Sequence, residues 1–157
     1  MHKLSKRDLI GMIHRLKNEL NIYKYDKLTG LLGRHDFENK LNKVLNKKNY
    51  WIRLMDINGL HKRNNEFGYE SGDKLIITVA NYLKETTNEI IYRVGGDEFC
   101  IIYNTEDYPD DINNEYIVSS TLNLYNYNNI KSIINDLSVD IKNKKTEWYK
   151  ERNLNRR

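Results

Sequence analysis

The stretch Arg93-Val94-Gly95-Gly96-Asp97-Glu98-Phe99 decides how this chain folds. Apolar and aromatic residues occupy positions 90–94 except Arg93, before the two glycines, and all of positions 99–103 after Glu98. Two such runs around a glycine turn predict a β-hairpin. A turn without side chains also lets a ligand approach the backbone closely. The hairpin is therefore both a structural element and a candidate site, with Asp97 and Glu98 beside it.

A second predicted strand, residues 50–55, ends at Asp56. In a split βαβ sheet this strand can lie beside the return strand of the hairpin, which brings Asp56 close to Asp97 and Glu98. Clustered carboxylates repel one another unless a divalent cation lies between them, and oxygen ligands suit Mg²⁺ or Mn²⁺ bound together with phosphates. The residues thus predict a metal-dependent phosphate site. A plain hairpin turn with exposed acids is the alternative.

The remaining patterns predict helices at both ends and in the middle of the chain. The predicted helices are residues 3–25, 34–47, 59–67, one opened by Gly72-Asp73, and about 129–148; a last strand covers about 116–124. Residues 26–33 are predicted as a connector, and residues 104–115 as an acidic surface loop containing the only proline. This order predicts an α+β fold, a sheet with helices packed against it.

The first helix has the spacing of a coiled-coil seam. Apolar or aromatic residues recur at alternating four- and three-residue intervals: Leu9, Ile13, Leu16, Leu20 and Tyr23. Such a stripe can pack on its own domain or pair two copies of the chain, and both interpretations stay open. We divide the chain into this helix, residues 1–25, and a body, residues 26–157.

Composition excludes several classes of protein. The chain has 157 residues and a formal net charge of +4. It contains no apolar run long enough for a membrane span and no leader-like start, so we expect a soluble, cytoplasmic protein. The single Cys100 argues against disulfides and cysteine-based zinc sites. Because the basic surplus lies in residues 142–157, we expect a solvated tail and no specific nucleic-acid partner.

Three motifs, in order, resemble the GGDEF family of diguanylate cyclases. The stretch Arg93 to Phe99 resembles the family's signature hairpin. Asp26-x-Leu28-Thr29-Gly30-Leu31-x-x-Arg34-x-x-Phe37 resembles its first motif, and Asp56-Ile57-Asn58-Gly59-Leu60-His61-x-x-Asn64-Asn65-x-x-Gly68-x-x-x-Gly72-Asp73 its metal-and-guanine segment. The resemblance implies a palm-like sheet related to that of nucleotidyl cyclases and polymerases. It also implies that a homodimer joins two GTP molecules into cyclic di-GMP.

The resemblance further assigns roles to residues. Asp56, the carbonyl of Ile57 and Asp97 match the family's positions for Mg²⁺ or Mn²⁺. Asp97 also matches the base for the attacking 3′-hydroxyl, and Glu98 a second catalytic acid. The remaining matches fall in the substrate site: Asn64 and Asp73 for guanine, and Gly95, Gly96 and His61 near the nucleotide. Asn64 is otherwise an exposed helix residue, and Asp73 otherwise a helix N-cap.

The chain departs from the family pattern around the substrate. Asn58, Leu60, Asn65 and Tyr69 replace residues that are frequent in the family, and His61 replaces a phosphate-contacting lysine. Because an imidazole is only partly protonated near neutral pH, we expect weaker, pH-sensitive phosphate contact. A long helix after the hairpin is missing. The family's C-terminal phosphate-contacting lysine is only loosely matched, by Lys142, Lys144 or Lys145.

The family's product-inhibition site is also missing, since its positions hold Thr86, Thr87, Asn88 and Glu89. We expect no inhibition by cyclic dinucleotide through this surface, and control by self-association or a separate protein. Two other functions stay open: a catalytically silent nucleotide-binding or protein-interaction module, and a minimal palm-type cyclase that makes another cyclic dinucleotide. Retention of Asp56, Asp97 and Glu98 favours an active enzyme.

Overall fold

The computed structural model of the chain describes residues 5–112 and 114–152, without the side chains of residues 20–23. The helices are α1 (Lys6–Lys24), α2 (Arg34–Val44), α3 (Leu60–Phe67), α4 (Tyr69–Thr86) and α5 (Ile130–Glu151). The strands are β1 (Leu32–Gly33), β2 (Tyr50–Ile57), β3 (Ile91–Arg93), β4 (Glu98–Asn104) and β5 (Ile117–Asn123). No helix in the described part of the chain is long and apolar enough to cross a membrane.

The strands form one sheet in the order β1-β3-β4-β2-β5. Strand β2 pairs antiparallel with β4 on one side and with β5 on the other, and β3 and β4 form the predicted hairpin. Only β1 runs parallel to its neighbour, β3. The predicted α+β fold, a mixed sheet flanked by helices, is confirmed.

Each face of the sheet packs against different helices. Side chains alternate between the two faces along a strand, so Ile52 and Leu54 of β2 join the core under α2 and α5, whereas Met55 and Ile57 join the core under α4. Asp56 follows the first set. The carboxylate at the end of β2 therefore points to the side on which α5 packs.

Three sequence predictions are wrong in detail. Residues 26–33 are not all connector, because β1 pairs with β3 there. Helix α2 ends at Val44 rather than near residue 47. Helix α4 begins at Tyr69, directly after Gly68 with φ +80°, so Asp73 lies inside the helix and is not its N-cap. The positive φ of Gly68 lets α3 end and α4 begin at a single residue; the sequence predicted that Gly68 ends the first helix but placed the start of the second at Gly72-Asp73.

The loop after β4 replaces the helix that the family resemblance leads one to expect. Arg53 of β2 is fully buried. Its guanidinium donates to the carbonyls of Pro109 (3.0 Å) and Asp110 (2.7 Å) and to the hydroxyl of Thr121 (2.7 Å). These bonds hold the loop against the sheet. One buried cation thus organises a short irregular segment where a helix would need many apolar contacts.

The apolar stripe of α1 is only partly covered. Leu9, Ile13 and Leu16 are 47%, 50% and 54% exposed; the other two members of the stripe, Leu20 and Tyr23, have side chains outside the described residues. These exposures argue against the interpretation that the stripe packs on its own domain. They leave an apolar helix face available to another surface.

Candidate functional site

Strand register brings the predicted acids together. Asp56 lies directly opposite Glu98 in the β2–β4 ladder. The amide of Ile57 donates to the carbonyl of Asp97 at 3.0 Å. The end of β2 therefore meets the hairpin turn, as the sequence predicted, although many residues separate them along the chain.

The ionised carboxylate of Asp56 lies in an unfavourable electrostatic environment. Burial, followed by repulsion from Asp97 and Glu98, raises its pKa to about 6, against the opposing effect of Lys145. A carboxyl pKa is raised in this way where acids are crowded in a partly desolvated position. Such perturbed pKa values are more frequent at functional sites than elsewhere. Asp56 is thus the centre of the local electrostatics.

Lys145 of α5 supplies the cation that this crowding requires. Its ammonium donates to the Asp56 carboxylate and, at 3.3 Å, to the carbonyl of Ile57. The sequence left Lys142, Lys144 and Lys145 as alternatives. Lys144 instead pairs with Asp140 at 2.7 Å and donates to the carbonyl of Ser119, and Lys142 is exposed. Only folding reveals which lysine reaches the acids.

The glycine turn is shaped by Glu98 and Arg93. A Cβ on Gly95 would lie 2.5 Å from Glu98 Oε2, so glycine is needed for the carboxyl group to fold over the turn. Gly96 is exposed and faces open space, and its carbonyl accepts from Arg93 at 2.6 Å. Arg93 also pairs with both carboxylate oxygens of Asp26, at 2.9 and 3.0 Å. The turn is therefore tied to the first motif, a link that the sequence did not predict.

Helices α3 and α4 form the predicted guanine side of the site. The amide oxygen of Asn64 is buried without a partner, and a Cβ on Gly72 would approach it to 1.8 Å. Arg63 joins the two helices by donating to the carbonyl and hydroxyl of Ser71, at 3.1 and 2.9 Å. Asp73 is exposed. Gly72 makes the room in which the Asn64 amide lies, and the Asp73 carboxylate faces solvent on the neighbouring helix.

The start of α3 meets the end of α5. Gly59 has φ +72°, a left-handed conformation that favours glycine, and its amide donates to the Tyr149 hydroxyl at 3.2 Å. His61, in the first turn of α3, is exposed and lies 3.3 Å from the Asn65 amide. In the structure His61 contacts Asn65, another residue that departs from the family pattern. Nothing in the spacing of the sequence pointed to Tyr149.

Several buried polar groups lack a partner. In the described part of the chain, such side-chain atoms occur in Asn58, Asn64, Arg93 and Trp51, and Asn58 lies two residues after Asp56. Buried polar atoms are normally bonded, so such atoms indicate groups kept for a ligand or for strain. Asn58 is 3% exposed, with neither amide atom paired. The sequence marked it only as a departure.

The donor set fits a hard divalent cation. Two oxygens, one from Asp56 and one from Ile57, converge on a single ammonium group. Within residues 5–112 and 114–152, no three His, Cys, Asp or Glu side chains form a ready-made cage. Mg²⁺ is commonly bound in this incomplete way, by one or two carboxylates together with substrate phosphates. The oxygens at the end of β2 therefore suit Mg²⁺ or Mn²⁺ in company with a nucleotide.

The expected inhibition positions lie elsewhere, in an acidic cavity. Thr86, Thr87, Asn88 and Glu89 line a cavity of about 480 Å³, and Glu85, Asp110 and Asp111 complete its acidic wall. None of the candidate site residues lines this cavity. Its carboxylates oppose the binding of an anionic dinucleotide there.

Comparisons with known proteins agree with this geometry. The sequence model of one family, described as "Diguanylate cyclase, GGDEF domain", matches residues 23–144. Among curated relatives, the probable diguanylate cyclase DgcI of Escherichia coli is 33% identical over 94 residues, 58% of this chain and 21% of DgcI. DgcZ of the same organism is 37% identical over 82 residues, 49% of this chain and 28% of DgcZ. The chain thus spans between a fifth and a third of these relatives.

Solved structures share the fold at low identity. The coiled-coil and GGDEF domain of DgcB from Caulobacter crescentus superposes with a TM-score of 0.67 at 18% identity, covering 90% of this chain and 92% of that one. The S helix-GGDEF-EAL structure of Vibrio cholerae LapD gives a TM-score of 0.69 at 16% identity, covering 88% and 38%. The family match covers the sheet, the hairpin and the three acids alike, and the chain belongs to the GGDEF domain family.

Proposed function

We propose that this protein is a diguanylate cyclase. The observation that carries the proposal is the meeting of Asp56, Asp97 and Glu98 at the end of β2, set by the β2–β4 register. A decayed relative would have no reason to retain three mutually repelling acids, since their crowding costs stability. The named cyclases among the curated relatives support the same function.

The proposed reaction joins two GTP molecules. The 3′-hydroxyl oxygen of one GTP attacks the α-phosphorus of the other, Asp97 accepts the hydroxyl proton, and pyrophosphate leaves; a second transfer with the roles exchanged closes the ring. Asp56, the Ile57 carbonyl and Asp97 would hold Mg²⁺ or Mn²⁺. When bound, the cation neutralises phosphate charge and lowers the pKa of the hydroxyl. Glu98, opposite Asp56, adds negative charge that favours cation binding.

Guanine selection follows from the chemistry of two side chains. The Asp73 carboxylate can accept from guanine N1–H and from the exocyclic amine, while the Asn64 amide can donate to O6. Adenine has an acceptor at N1 and no amine at C2, so both Asp73 contacts would fail, whereas the Asn64 amide can donate or accept; selection therefore rests mainly on Asp73. The absence of a side chain at Gly72 leaves the room that the Asn64 amide occupies. His61 and the glycine turn would lie along the phosphates.

The reaction also requires two subunits, because each would hold one GTP. We assign the contact to α1, whose Leu9, Ile13 and Leu16 form a half-exposed apolar stripe. Pairing two such stripes as a coiled coil would raise the effective concentration of one site near the other. The protein would then need no further element to bring its active sites together.

The test is incubation with radiolabelled GTP and, separately, ATP, with Mg²⁺ or Mn²⁺, followed by chromatography. The protein is used at concentrations where sedimentation shows a dimer. We expect cyclic di-GMP from the wild type and from the Asp107→Asn control, whose exposed loop carboxylate lies outside the site. Asp97→Asn should lower the rate by about 10²-fold or more.

Other outcomes select other functions. A product that forms only when ATP is present would replace cyclic di-GMP by another cyclic dinucleotide. No product with either metal would contradict the proposal and favour a silent nucleotide-binding or protein-interaction module.

A further inference from the structure

Helix α5 presents two residues, one turn apart, to the candidate site. Lys145 donates to the Asp56 carboxylate and to the Ile57 carbonyl, and its side chain is 17% exposed. Tyr149 accepts from the Gly59 amide at 3.2 Å. Residues four apart on a helix lie on the same face. The helix is thus fastened to the β2–α3 connection at two adjacent points.

The oxygens that bind Lys145 are the same two that match the family's metal ligands. Two cations that share these oxygens would lie within a few ångströms of each other, where repulsion is strong in a partly desolvated site. A divalent cation and the Lys145 ammonium therefore cannot both occupy the position between Asp56 and Ile57.

Lys145 is able to move, whereas its helix is held. A lysine ammonium is a compact charge on a flexible four-carbon stem, so it can leave the two oxygens without a shift of the backbone. Tyr149 contacts Gly59, not the acids, and keeps α5 in place by a separate hydrogen bond. The neighbouring Lys144 is engaged with Asp140 and Ser119, and so cannot readily substitute.

We propose that Lys145 is an exchangeable counter-ion of the site: its ammonium and a divalent cation alternate on Asp56 and Ile57. The displaced ammonium would then be available for the phosphate contact that the family resemblance assigns to a C-terminal lysine. This inference rests on the proposed function. It predicts effects of opposite sign, because Lys145 competes with a metal ion that arrives alone but assists one that arrives with a triphosphate. If Lys145 only stabilised the fold, its removal would weaken the binding of the metal ion alone and also the binding of the metal ion with a triphosphate.

The test compares Lys145→Met with Lys144→Met as the matched control. Mn²⁺ alone is titrated into each protein and free Mn²⁺ is followed by electron paramagnetic resonance. Binding of Mn²⁺ with a GTP analogue that carries a methylene between the α- and β-phosphates is measured separately by equilibrium dialysis. We expect Lys145→Met to bind Mn²⁺ about 10-fold more tightly, and the Mn²⁺–analogue complex about 10-fold more weakly, which is the scale of one partly buried ion pair.

The control and the charge-conserving variant complete the test. Lys144→Met should change both affinities by less than about 2-fold. Lys145→Arg keeps the cation and should keep Mn²⁺ affinity near that of the wild type. If Lys145→Met does not fold, Lys145→Gln removes the charge in its place, and an Mn²⁺ affinity unchanged by Lys145→Gln would overturn the inference. Equal or weaker Mn²⁺ binding by Lys145→Met, or no Mn²⁺ binding by any protein, would also overturn it.

The two proposals fail differently. Tighter Mn²⁺ binding by Lys145→Met, together with no analogue binding by any variant, would support the exchange on Asp56 and Ile57 and contradict the proposed cyclase. Analogue binding and cyclic di-GMP formation, together with an Mn²⁺ affinity unchanged by Lys145→Met, would support the cyclase and overturn the exchange.

Discussion

Two cations on opposite faces of β2 have very different surroundings. Arg53 is fully buried, and its guanidinium donates to neutral acceptors of Thr121, Tyr103, Pro109 and Asp110 and, at 3.5 Å, to the exposed carboxylate of Asp111. Lys145 is partly buried and meets one carboxylate and one carbonyl, with two further acids nearby. Around Arg53 the hydrogen bonds are complete. Two residues after Asp56, which binds Lys145, Asn58 retains unpaired buried amide atoms.

This difference distinguishes a cation that stabilises the fold, Arg53, from a cation at the candidate site, Lys145. A buried charge with many fixed acceptors has no capacity left for a ligand, and its removal leaves those acceptors unpaired. A region with excess negative charge and unpaired groups gains when a ligand binds. The molecule thus anchors its unusual loop with a fully bonded cation on one face of β2, and on the other face gathers carboxylates that a bound cation would stabilise.

Arg53→Met should have the largest effect on stability. It leaves the buried Pro109 carbonyl and the partly buried Asp110 carbonyl without this donor, and we expect a loss of about 3–5 kcal/mol in the free energy of unfolding. Urea unfolding measures this loss. Arg152→Met, which removes an exposed cation over Trp148, should cost less than about 1 kcal/mol.

A loss below about 1 kcal/mol for Arg53→Met would contradict the structural role given to Arg53, because the loop after β4 would then not depend on its guanidinium. The folded variant should also bind Mn²⁺ as the wild type does. A changed Mn²⁺ affinity would show that the two faces are coupled.

Asp26→Asn should have an intermediate, pH-dependent effect. Burial alone would raise the pKa of Asp26, but hydrogen bonds from Thr29 and the Arg93 guanidinium outweigh burial and hold it below its ordinary value of 3.8. A lowered pKa means that the ionised form stabilises the fold above pH 3.8 and that this contribution is lost as the pH falls further. We expect a loss of about 1–2 kcal/mol at neutral pH, after allowance for solvent screening.

Thermal and urea unfolding at pH 7 and at pH 3 test this sign. The difference between Asp26→Asn and wild type should shrink at the lower pH. Asp107→Asn removes an exposed carboxylate in the loop after β4 and should differ little from the wild type at either pH. An Asp26→Asn deficit that grows on acidification would contradict the assigned role of the pair.

Gly72→Ala should have the smallest effect on stability and a clear effect on binding. Alanine favours a helix by about 1 kcal/mol over glycine, but its Cβ would overlap the Asn64 amide oxygen at 1.8 Å. Because that oxygen belongs to a movable side chain, the amide should shift and the free energy of unfolding should change by less than about 1 kcal/mol. The GTP analogue should bind about 10-fold more weakly.

Gly11→Ala is the matched control, since it also lies in a helix, with nothing within 4 Å of a new Cβ. It should stabilise the protein by about 0.5–1 kcal/mol and leave analogue binding unchanged. Unchanged analogue affinity in Gly72→Ala would remove Asn64 from the candidate guanine site.

The sequence by itself determined the elements whose patterns are local. Runs of apolar and aromatic residues around the glycine turn predicted β3 and β4, and an aromatic, apolar run ending at Asp56 predicted β2. The motif resemblance then predicted the family, which the comparisons confirmed. Asn64, Asp73, Gly95, Gly96 and His61 remain predicted substrate residues. Metal binding by Asp56, Ile57 and Asp97, and catalysis by Asp97 and Glu98, remain predictions too.

Only the tertiary structure decided which distant groups meet. Lys145 and Asp56 are 89 positions apart, and Arg53 meets Asp110 across 57. Neither contact has a period or spacing in the sequence, because each depends on how a whole helix or loop packs on the sheet. Strand β1 escaped prediction for the same reason, since two residues become a strand only when β3 lies beside them. Local sequence patterns determine the helices and strands, whereas long-range packing determines which side chains meet at a site.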